Sequence, residues 1–371
     1  MPPSRCLLAL VLAFAGLIGV AAPQLPATAR ELVTAQRPPL IIGHRGGGTG
    51  YRPEHTLGSY ELGSDGGVDF IEPDLVATKD GVLIVRHEND ISGTTDALER
   101  FPDRKTRKTV DGKEIEGVFT EDLTLAEIKS LRAKERLPFR NQGFNGVYEI
   151  LTFQEVIDIA KRKSAETGHT IGIYPETKHP TYFKSIGLPL EARLVETLNR
   201  NGYTDPTSPV FIQSFEVANL RELRKMTKVR LILLFEDGPL QPYDFVVAGD
   251  PRTYLDLTRP AALAEIATFA DGIGPYKRLI LPEGSDRRLL PATSLIADAH
   301  RAGLRVHPYT FRDEPTFLAA DYHNDPIREY LHFFELGVDG VFSDNVISAV
   351  RARQIFVKRL KSRTAAMLEA R

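Results

Sequence analysis

Eight short apolar runs rich in β-branched residues recur along this chain, and stretches of helical period separate them. The runs are 40–44, 70–75, 171–174, 210–214, 230–235, 272–276, 305–309 and 340–343. Helix candidates fall at 56–64, 152–163, 190–199, 217–226, 260–269, 293–302 and 327–336, and Asn345 is placed to cap a last helix running to about Lys361. Gly168, Gly202, Gly303 and Gly337 stand where a helix should stop before the next strand. Parallel strands joined by crossover helices close into a (β/α)8 TIM barrel, with catalytic groups on the loops after the strands; a doubly wound open sheet is the alternative.

The rhythm breaks once, over about 89–146, where Gly, Asp, Lys and Arg dominate and Thr124-Leu-Ala-Glu127 offers a capping box for one short helix. This is an inserted segment after the second strand region. It begins just after His87, so it should rise over the barrel mouth as a lid or substrate-selecting cap, or else be a solvated decoration.

Formal net charge is -2, from 47 basic and 49 acidic residues, which provides no field for nucleic acid and no hint of a protein partner. Arg5, the apolar stretch 7–22 and Ala27-Thr28-Ala29 read as a signal peptide over 1–29, leaving a mature domain of 30–371, exported to the periplasm or secreted and without stable membrane insertion after cleavage. The single cysteine, Cys6, lies in that leader, so the mature chain has no disulfide, thiol nucleophile or thiolate metal site. Oligomeric state is not legible.

Glu72 and Asp74 sit at i and i+2 near a strand end and so share a face, and Glu176 ends another strand. Three carboxylates converging on one mouth repel one another and call for a cation; oxygen donors without thiolates favour Ca2+ or Mg2+ over zinc. The competing reading is that each carboxylate caps the helix after it. His44 and His87 each end an apolar run, and two imidazoles across one cavity can take a proton and return one. Arg45 precedes Gly46-Gly47-Gly48, where backbone amides and a guanidinium can approach phosphate oxygens, although no Walker sequence follows. Lys178, two residues after Glu176, is placed to donate to an oxyanion or else to face solvent. His169, His179, His300, His323 and His332 read as structural, and His307 is undecided.

Taken in order, Gly43-His-Arg-Gly46, Arg52-Pro-Glu-His-Thr56, Asp69-Phe-Ile-Glu-Pro-Asp74, Asp80-Gly81, His87, Tyr174-Pro-Glu-Thr-Lys178, Gln213-Ser-Phe215 and Asp339-Gly-Val-Phe-Ser-Asp344 closely resemble the glycerophosphodiester phosphodiesterase family. Pro53-Glu-His-Thr56, the long insertion and the leader look like its periplasmic branch; the cytoplasmic branch usually has Asn where His55 stands. The resemblance implies a TIM barrel with His44 and His87 as the acid/base pair and Glu72, Asp74 and Glu176 on a divalent metal. Arg45 and Lys178 would hold phosphate, with Glu54 supporting the first loop and Gln213, Tyr309, Phe311 and Phe342 near the mouth. It further implies hydrolysis of small glycerophosphodiesters such as glycerophosphocholine or glycerophosphoethanolamine to sn-glycerol 3-phosphate and an alcohol, through a cyclic phosphate. Two other readings compete: a phospholipase of the same barrel superfamily acting on intact lipid, against which the charged stretch 100–113 argues, and a catalytically silent binding protein.

Overall fold

Parallel pairing runs all the way round the molecule. In the computed structural model, which describes residues 38–369, the strands in chain order are β1 (Leu40–Gly43), β2 (Phe70–Ile71), β3 (Asp74–Ala77), β4 (Leu83–Val85), β5 (Thr106–Val110), β6 (Lys113–Gly117), β7 (Gly172–Ile173), β8 (Glu176–Thr177), β9 (Phe211–Ser214), β10 (Arg230–Phe235), β11 (Gly272–Pro275), β12 (Arg305–Val306) and β13 (Gly340–Ser343). The expected leader, 1–29, lies outside the described residues. Strand β1 pairs with β13 and β2; β2 and β3 pair with β7 and β8; and the series continues through β9, β10 and β11 to β12, every pair parallel. Backbone bonds from Asp339 N to Val306 O (2.9 Å), Phe342 N to Pro308 O (3.0 Å) and Phe311 N to Phe342 O (2.8 Å) join the last two strands and complete the ring. The fold is the TIM barrel.

Two expected strands are split, for a common reason. Pro73 and Pro175 have no N–H to donate to the ladder, so 70–75 becomes β2 and β3, and the strand begun at β7 resumes as β8. Likewise β12 is shorter than 305–309 because Pro308 interrupts it. Register then places the functional rows. Asp74 pairs laterally with Glu176, and Glu176 with Gln213, on three neighbouring strands. Gly43 pairs with both Ile71 and Ser343, so the next residues, His44, Glu72 and Asp344, leave three adjacent strands at one level.

The helices form where their caps direct. Thr152 and Glu155 close a capping box ahead of Phe153–Thr167, and Gly168 ends that helix at φ 72. Other helix ends fall within three residues of the sequence expectation, except that the last helix, Val346–Glu369, runs well past Lys361. Ile42, Phe70, Tyr174, Phe211, Ile232 and Phe342 fill the barrel interior, while a larger apolar layer lies between strands and helices. His307, undecided from sequence, is wholly buried in that interior and bonded to the Tyr174 hydroxyl at 2.9 Å, away from the mouth.

Strand β4 returns antiparallel along β3, which carries His87 back toward the mouth. The segment 89–146 then builds a hairpin, β5 and β6, that turns at Asp111-Gly112 with φ 47 and 76, and a short helix, Leu125–Ser130, with the Thr124/Glu127 capping box. Its buried Ile91, Val110, Phe119, Leu123 and Ile128 belong to the same apolar layer as the barrel. Among the described residues no helix is long and apolar enough to cross a membrane.

Helix Leu57–Asp65 presses directly on the loop carrying His44. A Cβ on Gly63 would stand 1.9 Å from Gly46 O, so Gly63→Ala is expected to destabilise the protein by about 1–3 kcal/mol and to displace that loop; denaturant unfolding with matched m-values measures it.

Candidate functional site

The loop after β1 is held from several sides. His44, Arg45 and Gly46 form one short helical turn; Arg45 has φ 51, and Gly46 and Gly47 have φ 111 and 85, values that glycine accepts without strain. Arg45 O receives His55 N at 3.0 Å and Ser59 Oγ at 3.1 Å, and His44 O receives Thr49 Oγ1 at 2.7 Å. The strained turn is therefore fixed by helix Leu57–Asp65 and the residues before it.

Glu72, Asp74 and Glu176 meet at the mouth with one donor oxygen from each within 4.8 Å of the others, all three side chains buried. Arg45 N donates to Glu72 Oε2 (2.5 Å), Gln213 Nε2 to Glu72 Oε1 (3.2 Å), and His55 Nε2 lies 2.8 Å from Asp74 Oδ2. Lys178 Nζ is 2.8 Å from Glu176 Oε1. Burial and the charges of Asp74 and Glu176 push the Glu72 carboxyl well above its usual range, and burial lifts Glu176 to about 8 even with Lys178 beside it. Asp74 goes the other way: burial opposes ionisation, but the His55 hydrogen bond and the charges of His87 and Lys178 outweigh it. Asp74 Oδ1 is buried with no hydrogen-bond donor on it. Three crowded carboxylates, one orphaned oxygen and an excess of negative charge fit a hard divalent cation.

His44 and His87 line the same cavity, of about 1200 Å³, with Arg45, Glu72, Glu176, Lys178, Gln213, Tyr309 and Phe342. His44 Nδ1 lies 2.5 Å from Asp344 Oδ1, while Asp344 Oδ2 takes Arg140 Nη2 at 2.7 Å and Arg312 Nε at 2.8 Å. Burial lowers His44 to about 4 despite Asp344, so the ring is neutral at pH 7; an Nδ1–H donated to the ionised Asp344 leaves Nε2 as the base. His87 Nδ1 lies 2.7 Å from Glu88 Oε1, and its Nε2 is 3.4 Å from Lys178 Nζ. Burial, Arg45 and Lys178 together lower its pKa. Glu88 Oε2 reaches His179 Nε2 at 2.9 Å, and His179 Nδ1 reaches Asp111 Oδ2 at 2.6 Å on the hairpin turn.

One expected residue stands elsewhere. Phe311 does not reach the mouth: it is wholly buried, stacked on Tyr330 at 5.0 Å and edge-on to Phe333 at 4.9 Å, because the chain turns outward after Tyr309 and aims this side chain at the helix layer. Glu54, expected to support the first loop, lies behind Arg45, accepting from its Nη1 at 2.6 Å and from Arg136 Nε at 3.0 Å.

Sequence reasoning assigned no role to Asp344, Arg140, Arg312 or Glu88, and it read His179 as structural. Asp344 carried a usable signal, since it follows a barrel strand as His44 does. Arg140 carried none, because its partner is 204 residues away.

The family model for the glycerophosphoryl diester phosphodiesterase family matches residues 44–348. A glycerophosphodiester phosphodiesterase of Arabidopsis thaliana is 38% identical over 333 residues, covering 86% of each chain, and one of Haemophilus influenzae is 30% identical over 327 residues, covering 82% of this chain and 87% of its own. Among solved structures, a glycerophosphoryl diester phosphodiesterase from Silicibacter pomeroyi superposes with a TM-score of 0.61 at 20% identity, over 87% of this chain and 96% of its own. A phosphodiesterase from Oleispira antarctica, in complex with its product sn-glycerol-3-phosphate, gives 0.55 at 19%, over 85% and 96%. With its barrel, its ordered motifs and the reach of these matches, this chain belongs to the glycerophosphoryl diester phosphodiesterase family.

Proposed function

We propose that the enzyme hydrolyses small glycerophosphodiesters to sn-glycerol 3-phosphate and an alcohol, with a divalent cation at Glu72, Asp74 and Glu176. The observation that carries this reading is the placement of that buried triad between two imidazole-bearing loops and beside Arg45 and Lys178. When bound, the cation would polarise the attacking hydroxyl and a phosphate oxygen. Ca2+ is the first candidate and Mg2+ the alternative; all three donors are carboxylate oxygens, which suit either hard cation. The apolar leader 7–22 supports an exported enzyme.

The chain's own residues supply the remaining steps. Arg45 and Lys178 offset charge on the phosphate oxygens. A glycerol hydroxyl oxygen bonds to phosphorus as one histidine accepts its proton; the other histidine protonates the departing alkoxide as the P–O bond breaks, leaving a five-membered cyclic phosphate. Water then opens the ring with the two roles exchanged. The diester's negative charge raises the pKa of the imidazole facing the leaving oxygen, bringing it into range for an acid. Asp344 holds His44 in the tautomer that presents Nε2, and Arg140 with Arg312 keeps that carboxylate ionised and fixed. For the intact-lipid reading the mouth is mixed: Leu240 and Val246 on the cavity wall are half exposed, while the hairpin tip Asp111-Gly112-Lys113 is polar.

His44→Ala and His87→Ala are each expected to lower kcat on glycerophosphocholine by roughly 10²- to 10⁴-fold, and a chelator to stop wild-type turnover. Ca2+ should also raise the melting temperature of the wild type and not of Asp74→Asn; equal shifts in both would remove the triad from the metal site. Asp344→Asn should reduce kcat on the order of 10²-fold with KM nearly constant, since the ring loses its orienting charge rather than a substrate contact.

His179 adds a pH dependence. Burial lowers its pKa, but hydrogen bonds to Asp111 and Glu88 dominate and hold it at about 9, above its ordinary 6.5. A raised folded-state pKa stabilises fully below the unfolded value and is lost as pH rises through about 9. The melting-temperature advantage of wild type over His179→Gln should therefore be greatest near pH 6 and shrink by pH 10; an advantage constant across that range would show that no imidazolium bridges the hairpin to Glu88.

A further inference from the structure

Beyond Glu176 the cavity wall changes character. Phe215, Tyr254, Tyr276 and Tyr309 line it. Phe215 meets Tyr309 edge-on at 6.0 Å and Tyr254 at 6.3 Å, and Tyr276 lies tilted against Tyr309 at 6.2 Å. Lys178 Nζ sits 5.5 Å above the Phe215 ring, so the aromatic wall begins where the phosphate grip ends. Two of the three phenol hydroxyls are used inside the protein: Tyr254 donates to Phe215 O at 3.1 Å and Tyr309 to Phe235 O at 2.9 Å. These two side chains therefore offer the cavity ring surface rather than hydrogen bonds.

A carboxylate on this wall has no cation. Glu236, at the exit of β10, lines the cavity and accepts a hydrogen bond from Asp237 N at 3.1 Å; among the described residues no Lys, Arg or His pairs with it. It directly follows Phe235, whose carbonyl accepts the Tyr309 hydroxyl at 2.9 Å and Tyr276 N at 2.8 Å, which sets it at the aromatic wall. Of the other carboxylates on the cavity wall, Glu283 pairs with Arg278 at 2.6 Å and Glu88 and Asp111 pair with His179, whereas Glu216 has no cation among the described residues and is held by the Thr181 hydroxyl.

We propose that Phe215, Tyr254, Tyr276, Tyr309 and Glu236 form the head-group subsite and that it takes a quaternary ammonium group, so that the enzyme prefers diesters whose leaving alcohol is cationic. The inference rests on the hydrolase reading above and adds its substrate class. A trimethylammonium group presents only C–H surface; ring faces attract its charge and Glu236 completes the compensation. A glycerol or inositol head group instead needs hydrogen-bond partners to replace the water it sheds, and this wall withholds two of its hydroxyls.

The test compares kcat/KM for glycerophosphocholine and glycerophosphoglycerol in the full-length enzyme with Ca2+, for the wild type, Glu236→Gln and Tyr276→Leu. Tetramethylammonium binding to His44→Ala, with and without Glu236→Gln, is measured by calorimetry. The choline-to-glycerol ratio is expected to fall about tenfold in each single variant, as loss of a cation–π or ion-pair contact implies, with tetramethylammonium binding weakened by a similar factor. A ratio that stays within about twofold of wild type in both variants would overturn the subsite, as would tetramethylammonium binding indifferent to Glu236. If neither diester is turned over but tetramethylammonium still depends on Glu236, the subsite stands and the hydrolase reading falls.

Discussion

Repulsion among Glu72, Asp74 and Glu176 is the constraint around which the mouth of this barrel is organised. Left alone, three buried carboxylates in such proximity would take up protons, as the raised pKa values of Glu72 and Glu176 indicate. The surroundings resist that outcome in a graded way. Lys178 pairs with Glu176, Arg45 N and Gln213 donate to Glu72, and His55 fixes Asp74 from behind. Lys178 offsets part of the charge and the other contacts orient oxygens, which leaves the triad positioned for a divalent cation.

Strand register decides which residues share that mouth. Because β3, β8 and β9 pair at Asp74, Glu176 and Gln213, a one-residue slip would turn a ligand toward the helix layer. His44, Glu72 and Asp344 leave adjacent strands at one level for the same reason, which puts the His44–Asp344 pair beside the triad although 300 residues separate its members. The two proline breaks, at Pro73 and Pro175, free the backbone next to Glu72 and Glu176 without interrupting the ring.

Much of this was legible in the chain. The eightfold alternation specified the barrel, since strands of four to six apolar residues between helical stretches admit few other closures, and the i, i+2 spacing of Glu72 and Asp74 anticipated their shared face. What escaped was non-local. Phe311 follows a strand whose neighbours do reach the site, and only the direction of the loop after that strand separates a cavity residue from one behind it. Arg140 is anonymous in a charge-rich segment, and His179 acquires its role only when the Asp111 turn folds back on it. Long-range ion pairs between loops leave no periodicity to read.

Those same pairs give the segment 89–146 a chemical role. Through Arg140 it touches the carboxylate behind His44, and through Asp111 and His179 it touches the carboxylate behind His87. Both imidazoles are thus braced from one side by a barrel strand or its loop and from the other by one excursion of chain. Loss of the hairpin contact would loosen the Glu88 side without disturbing Asp344, because Arg312 still holds Asp344 from the barrel. The two halves of the acid/base pair therefore depend unequally on this segment: His87 has the weaker anchorage, standing on an exposed Glu88 whose second partner is the hairpin-bound His179.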